Sequence, residues 1–252
     1  MAIKLLINGI AGAGKTDLLR TLSEETFVVS RDAKEFALPI PHMLVDTYYD
    51  MDVLLNGTDT EEGHIDGITD KLEKYNEHFG KYPENVVIDS VSQIFMDVID
   101  VASQTPNVYG SQGAEVTKEM AKLTKFIHEY LELNGVNVIL LNHVIQETLE
   151  GKQTGNYISF GSGKFLSKGG FYSTTNESIT IVPVGENRQV YTRGTSKQAR
   201  TSLIGIPDKM WIANTVNPDK SKKLKEDETF FSLRSHLDLL MSSQADVKKW
   251  SF

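Results

Sequence analysis

"INGIAGAGKTDLL", residues 7–19, decides the fold. Gly9, Gly14, Lys15 and Thr16 fit G-x-x-x-x-G-K-[ST], the spacing of a phosphate-binding loop. A short apolar run, Ile3 to Ile7, precedes it and reads as the strand that delivers the chain to the loop. Glycines let the backbone curl until successive N–H groups point at one anion, and a helix starting near Lys15 turns its positive end toward it. The motif predicts a nucleotide site formed by Gly9, Ala11, Gly12, Ala13, Gly14, Lys15, Thr16 and Asp17. Lys15 reaches the β- and γ-phosphates of ATP, and Thr16 places its hydroxyl on Mg²⁺.

Working outward, apolar runs alternate with helical periodicity. Ala2–Asn8, Phe27–Ser30, Asn85–Ser90 and Val136–Asn142 read as strands. Lys15–Leu22, Asp66–Phe79, Val91–Ser103 and Gly113–Leu133 read as helices. This order predicts an α/β fold with a mostly parallel sheet covered on both faces. The pattern then changes: Gln146–Ser173 is polar, rich in Gly and Ser, and reads as a long loop. Ser178–Val184, Gln189–Thr192 and Met210–Ala213 look like shorter strands that add antiparallel edges. Residues 1–215 are expected to form the core. Residues 216–252 are expected to hold a charged connection (Asp219–Glu228), a helix (Phe230–Met241) and a tail ending in "KKWSF".

The chain has 252 residues, no cysteine and a net charge of −8. Disulfides and cysteine-ligated zinc are excluded. No charged-then-apolar leader opens the chain and no apolar run approaches membrane-spanning length, so the expectation is a cytoplasmic protein without a membrane partner. The charge is uneven. Residues 1–143 carry 23 acids and 11 bases, a net of −12, and residues 144–252 carry 11 acids and 15 bases, a net of +4. Such asymmetry marks either one working face or an ordinary acidic surface on the first half.

The second element of a nucleotide site is an acid near the metal. "NVVIDS" (85–90) supplies Asp89 after four buried-type residues. Asp89 would hold Mg²⁺ through water; as an alternative, it caps the next helix. Ser90 stands where many motor ATPases carry a Glu base, the base-reading Asn-Lys-x-Asp of GTPases is absent, and Ile10 occupies the place of the extra Lys of partition-type ATPases.

"NVVIDSVSQIF" followed by "VNVILLNHV" resembles the RecA-like ATPase core. The resemblance implies a RecA-like P-loop NTPase fold and makes Asn142 and His143 the strand-end pair that senses the γ-phosphate. "YGSQGAEVTKEMAKLTKFI" (109–127) looks like the first DNA-facing loop of RecA-type recombinases with its helix. Gln146–Ser173 stands where such proteins place their second DNA-binding loop. There Lys152, Lys164 and Lys168 would meet phosphates, while Tyr157, Phe160 and Phe165 would stack on bases. In "TRGTSKQARTSLIGIP" (192–207), Lys197 and Arg200, with Arg193 in reserve, are candidates to reach a neighbouring subunit's γ-phosphate. "FVVSRDAKEF" (27–36) and the bare core from residue 2 resemble phage-encoded RecA-like ATPases, including single-strand annealing proteins. Recombinases carry a catalytic Glu after the second strand, and here that region offers Asp32 and Glu35.

The resemblance implies a DNA-stimulated ATPase using ATP and Mg²⁺. Its partner would be single-stranded DNA, in a homo-oligomeric ring or short filament in the host cytoplasm. Apart from the resemblance, the "KKWSF" tail reads either as a docking peptide for a replication or single-strand-binding protein or as a Trp/Phe pair packed back onto the body. Two other classes share the phosphate loop. A small-molecule or nucleotide kinase would use 146–173 as a lid, although that stretch has no Arg to clamp a transferred phosphate. A nucleotide-dependent switch would hydrolyse slowly and bind a protein partner.

Overall fold

The computed structural model describes residues 2–31, 40–45, 48, 50–104, 111–159, 170–214 and 218–248. The chain forms β1 (Lys4–Gly9), α1 (Lys15–Leu18, continued by a 3-10 turn, Leu19–Thr21), β2 (Thr26–Ser30), β3 (His42–Leu44) and α2 (Met51–Asn56). A small hairpin, β4 (Thr58–Thr60) and β5 (Gly63–Ile65), leads into α3 (Ile68–Phe79) and β6 (Asn85–Asp89). Then come α4 (Val91–Ser103), α5 (Ser111–Lys125), β7 (Asn137–Leu149), β8 (Lys152–Ser159), β9 (Glu177–Val184), β10 (Asn187–Tyr191), β11 (Lys209–Trp211) and α6 (Leu233–Lys248).

The main sheet runs β11-β10-β9-β1-β7-β6-β2-β3, with β8 added to β7. From β9 to β3 every neighbouring pair is parallel, while β10, β11 and β8 join antiparallel. The protein is thus α/β, with a mostly parallel mixed sheet flanked by helices. The central strands are apolar on both sides because both faces are covered. Leu6, Val86, Ile88, Val138 and Leu140 face a core closed by α2–α5. Their alternate neighbours Leu5, Ile7, Val87, Ile139 and Leu141 face a second core, closed by Leu18, Leu19 and the α6 residues Leu233, Leu237 and Leu240. The C-terminal helix therefore packs into the same core as β1.

Three expectations change. The last helix, expected over Phe230–Met241, runs Leu233–Lys248, because Phe230 bridges to Trp211 and Phe231 N donates to Trp211 O at 2.7 Å. The long helix expected over 113–133 is α-helical only to Lys125 and continues as a π-helical segment, Phe126–Leu131. Its wider turn stacks the rings of Phe126 and Tyr130 at 5.2 Å. The loop expected over 146–173 is, in its described first half, a β-hairpin. β7 continues seven residues past Asn142 and turns back through Glu150 and Gly151, at φ 49° and 76°. Two successive positive φ values make the two-residue turn whose twist matches paired strands. Glu147 sits at a register shift and staples the hairpin, accepting from Thr154 Oγ1 and Asn156 Nδ2, both at 2.8 Å.

Candidate nucleotide site

Parallel pairing brings the site together. β7 lies between β1 and β6, with Gly9 level with His143 and Asp89 level with Leu141. β1 and β6 therefore end at one edge, level with the middle of β7, where the loop after β1 curls. Gly12 and Gly14 sit at φ 74° and 85°, in the left-handed region that glycine enters without steric cost. Ala13 N donates to Ile10 O at 3.1 Å, closing the loop.

Lys15 is buried, 5% exposed, and its Nζ donates to Gly9 O at 2.8 Å and Ile10 O at 3.2 Å. The same Nζ lies 3.2 Å from His143 Nδ1. Thr16 Oγ1 donates to Asp89 Oδ2 at 2.8 Å, and Asp89 is itself buried. Ser90, not Asp89, caps α4 by accepting from Gln93 N. The capping alternative for Asp89 thus falls away. A cleft of about 290 Å³ opens over Gly12, Gly14, Lys15, Thr16, Asp17, Arg20 and His143. An ammonium resting on backbone carbonyls and a hydroxyl turned to a carboxylate are groups that phosphate oxygens and a hard cation can engage. The donor set therefore fits a magnesium nucleotide.

Behind the site, a buried polar chain crosses the sheet. His143 N donates to Ser92 Oγ at 2.7 Å, and Ser92 Oγ donates to Asn142 Oδ1 at 2.7 Å. Asn142 Nδ2 donates to Asn8 Oδ1 at 2.8 Å, and Asn8 Nδ2 to Ser178 Oγ at 3.1 Å. Ser178 Oγ ends the chain on Gln198 O at 2.6 Å. Buried polar groups persist when each has a partner. Asn142 is therefore a bridge behind the site, while His143 is the residue that faces Lys15.

Other expected residues lie elsewhere. Lys152 is exposed at the hairpin tip, opposite Leu149. Tyr157 is buried, 6% exposed, rather than offered for base stacking. The Lys197 ammonium covers its ring at 4.8 Å and donates to Gly155 O. Burial lowers the Lys197 pKa. Arg200 stacks on Tyr172 at 4.1 Å and donates to Tyr172 O and Thr175 O, and Arg193 donates to Ile206 O and Asp208. These cations are held within their own chain: the charged heads of Lys197 and Arg200 lie over tyrosine rings, and all three side chains donate to backbone carbonyls. Asp32, Glu35, Phe160, Lys164, Phe165 and Lys168 lie outside the described residues, as do Trp250 and Phe252 of the tail.

Sequence reasoning missed Arg188. It reaches across from β10, and its Nη1 donates to Asp17 Oδ2 at 2.7 Å. No motif marks it, since the contact spans most of the chain. Ser92 was equally silent, as an ordinary helix serine. Compared with protein-family models and with curated proteins, the chain matches none. Among the described residues, no helix is long and apolar enough to cross a membrane.

Proposed function

We propose that this chain is a RecA-like, Mg²⁺-dependent ATPase that acts on single-stranded DNA as a recombination or annealing protein of the phage type, its nucleotide state governing its hold on DNA. The observation that carries the proposal is the position of His143. Its ring meets Lys15 at the phosphate loop, and its strand continues without a break into the β7–β8 hairpin. Bound Mg²⁺-ATP supplies a hydrolysable phosphoanhydride and a divalent charge to offset it. Lys15 binds the phosphates, Thr16 and Asp89 hold the metal, and His143 responds to the terminal phosphate. The hairpin offers DNA an exposed Lys152 beside exposed Ile145, Leu149 and Ile158. The proposal includes a cytoplasmic homo-oligomer, a ring or short filament, in which Lys197 and Arg200 exchange their present partners for a neighbour's nucleotide.

ATP hydrolysis with and without poly-dT, for wild type and Lys15→Ala, tests this. Stimulation by poly-dT that Lys15→Ala abolishes is the expected result. Turnover indifferent to DNA removes the DNA half of the proposal, and no turnover in wild type removes the ATPase half.

A further inference from the structure

We propose that Arg188 is the cation that receives the nucleotide's α-phosphate, delivered in cis from the β9–β10 hairpin and held ready by Asp17. This rests on the nucleotide reading above and adds a residue to it.

The sheet order sets the direction. β7 and β6 lie on one side of β1 and bring His143 and Asp89; β9 and β10 lie on the other side and bring Arg188. Lys15, Thr16, Asp89 and His143 gather toward β7, where the reading above puts the β- and γ-phosphates and the metal. The α-phosphate end of a bound nucleotide then points toward β10. Asp17, one residue past Thr16, lines the cleft there. An unneutralised carboxylate at that place would repel a polyphosphate. It is flanked by two arginines, Arg188 Nη1 at 2.7 Å from one oxygen and Arg20 Nε at 3.9 Å from the other.

Arg188 also lies hard against the loop. A Cβ on Gly14 would come within 1.6 Å of its Nη1 and 2.8 Å of its Cζ, so the bare glycine is what admits the guanidinium. Asp17 accounts for this side chain's only hydrogen bond among the described residues, and a guanidinium carries five N–H donors. At 22% exposure it is partly desolvated yet open to a ligand. The planar fork can meet two phosphate oxygens at once.

The test measures dissociation constants of ADP and ATP by calorimetry for wild type, Arg188→Ala, Arg188→Lys and Lys15→Ala, with melting of each protein free of nucleotide. Arg188→Ala should weaken ADP and ATP by the same factor, about 10-fold, as loss of one charge-assisted contact. It should do so equally in an Asp17→Asn background, where no carboxylate is left to repel the phosphates; a loss that Asp17→Asn cancels would overturn the assignment. Arg188→Lys should recover part of that affinity, because an ammonium keeps the charge without the fork. Unchanged affinities with a lower melting temperature would make Arg188 a strut for Asp17 and overturn the assignment. Loss confined to ATP would move its contact to the γ-phosphate and overturn it equally. Lys15→Ala separates the two levels. If it binds nucleotide like wild type, the nucleotide reading fails and Arg188 with it. If it loses binding while Arg188→Ala does not, only the Arg188 assignment fails.

Discussion

Lys15 Nζ stands 3.2 Å from His143 Nδ1, although 128 positions separate the two residues. One belongs to the phosphate loop and the other to the strand that becomes the hairpin. In the proposed ATPase, a group placed there would follow the terminal phosphate, because that phosphate and the imidazole would seek the same ammonium. His143→Ala should therefore leave ADP affinity within about twofold and lower ATP turnover by about 100- to 1000-fold, the range for losing one polar group aimed at charge that develops in the transition state. Steady-state hydrolysis together with ADP titration checks this. An equal loss of ADP affinity would mean that His143 only supports the loop.

Asn142 is fully buried between Ser92 and Asn8. Asn142→Leu removes a donor and an acceptor and strands both neighbours away from water. The expected cost is about 2–4 kcal/mol, since each buried polar group left unpaired costs about 1–3 kcal/mol. Urea unfolding gives the number. Asn142→Asp keeps the acceptor toward Ser92 but sets a carboxylate against Asn8 Oδ1, so it should rescue nothing at neutral pH.

Tyr157 fastens the hairpin to the turn that carries Lys197. Tyr157→Ala should destabilise the protein by about 3 kcal/mol, in the range for truncating a buried aromatic ring. The turn at Glu150 and Gly151 should also become cleavable by a protease at doses that spare wild type. Limited proteolysis with mass mapping of the first cut reads this directly.

His64 links the β4–β5 hairpin to the start of α3. Its Nδ1 lies 2.8 Å from Asp59 and its Nε2 3.1 Å from Asp70. The hydrogen bond with Asp59, then that with Asp70, raises its pKa above the usual imidazole value. A raised pKa means that the folded protein holds the proton more tightly than the unfolded chain. The contribution to stability is complete below the unfolded value of about 6.5 and is lost as pH rises through the folded one. Melting of wild type and His64→Gln should differ most below the unfolded value and converge as pH rises through the folded one. A difference that is constant across that range would assign the effect to packing.

The sequence displayed the inner sheet plainly, because β1, β2, β6 and the first half of β7 are apolar on both faces, and β1, β6 and that half of β7 lead to Gly9, Asp89 and His143. It also placed Lys15 and Thr16 together, since a strand–loop–helix motif carries its geometry within a few residues, while Asp89, 73 positions from Thr16, was marked by its place at the end of a second buried strand. The β7–β8 hairpin was hidden for a physical reason. Past Val144 most of its side chains meet water, so its residues lack the apolar alternation that marks a half-buried strand. The pair Glu150–Gly151 between residues such as Ile145, Thr148, Thr154 and Ile158 was the one local sign. The short elements α2, β3, β4 and β5 carry too few residues to show a period. Arg188, Ser92 and the aromatic seats of Lys197 and Arg200 are tertiary facts, and no local spacing encodes them.

β7 is a single strand from the centre of the sheet to the hairpin tip, and this gives it mechanical advantage. Leu149 lies six residues past His143, which at about 3.3 Å per residue is an arm of about 20 Å. A tilt of only about 5° at the pivot would swing the tip by about 2 Å, more than the reach gained or lost in making one hydrogen bond. The stapling contacts of Glu147 stiffen this arm near its middle. Softening it there, for example by Glu147→Ala, would leave the pivot intact and weaken the transfer of any tilt at His143 to the tip.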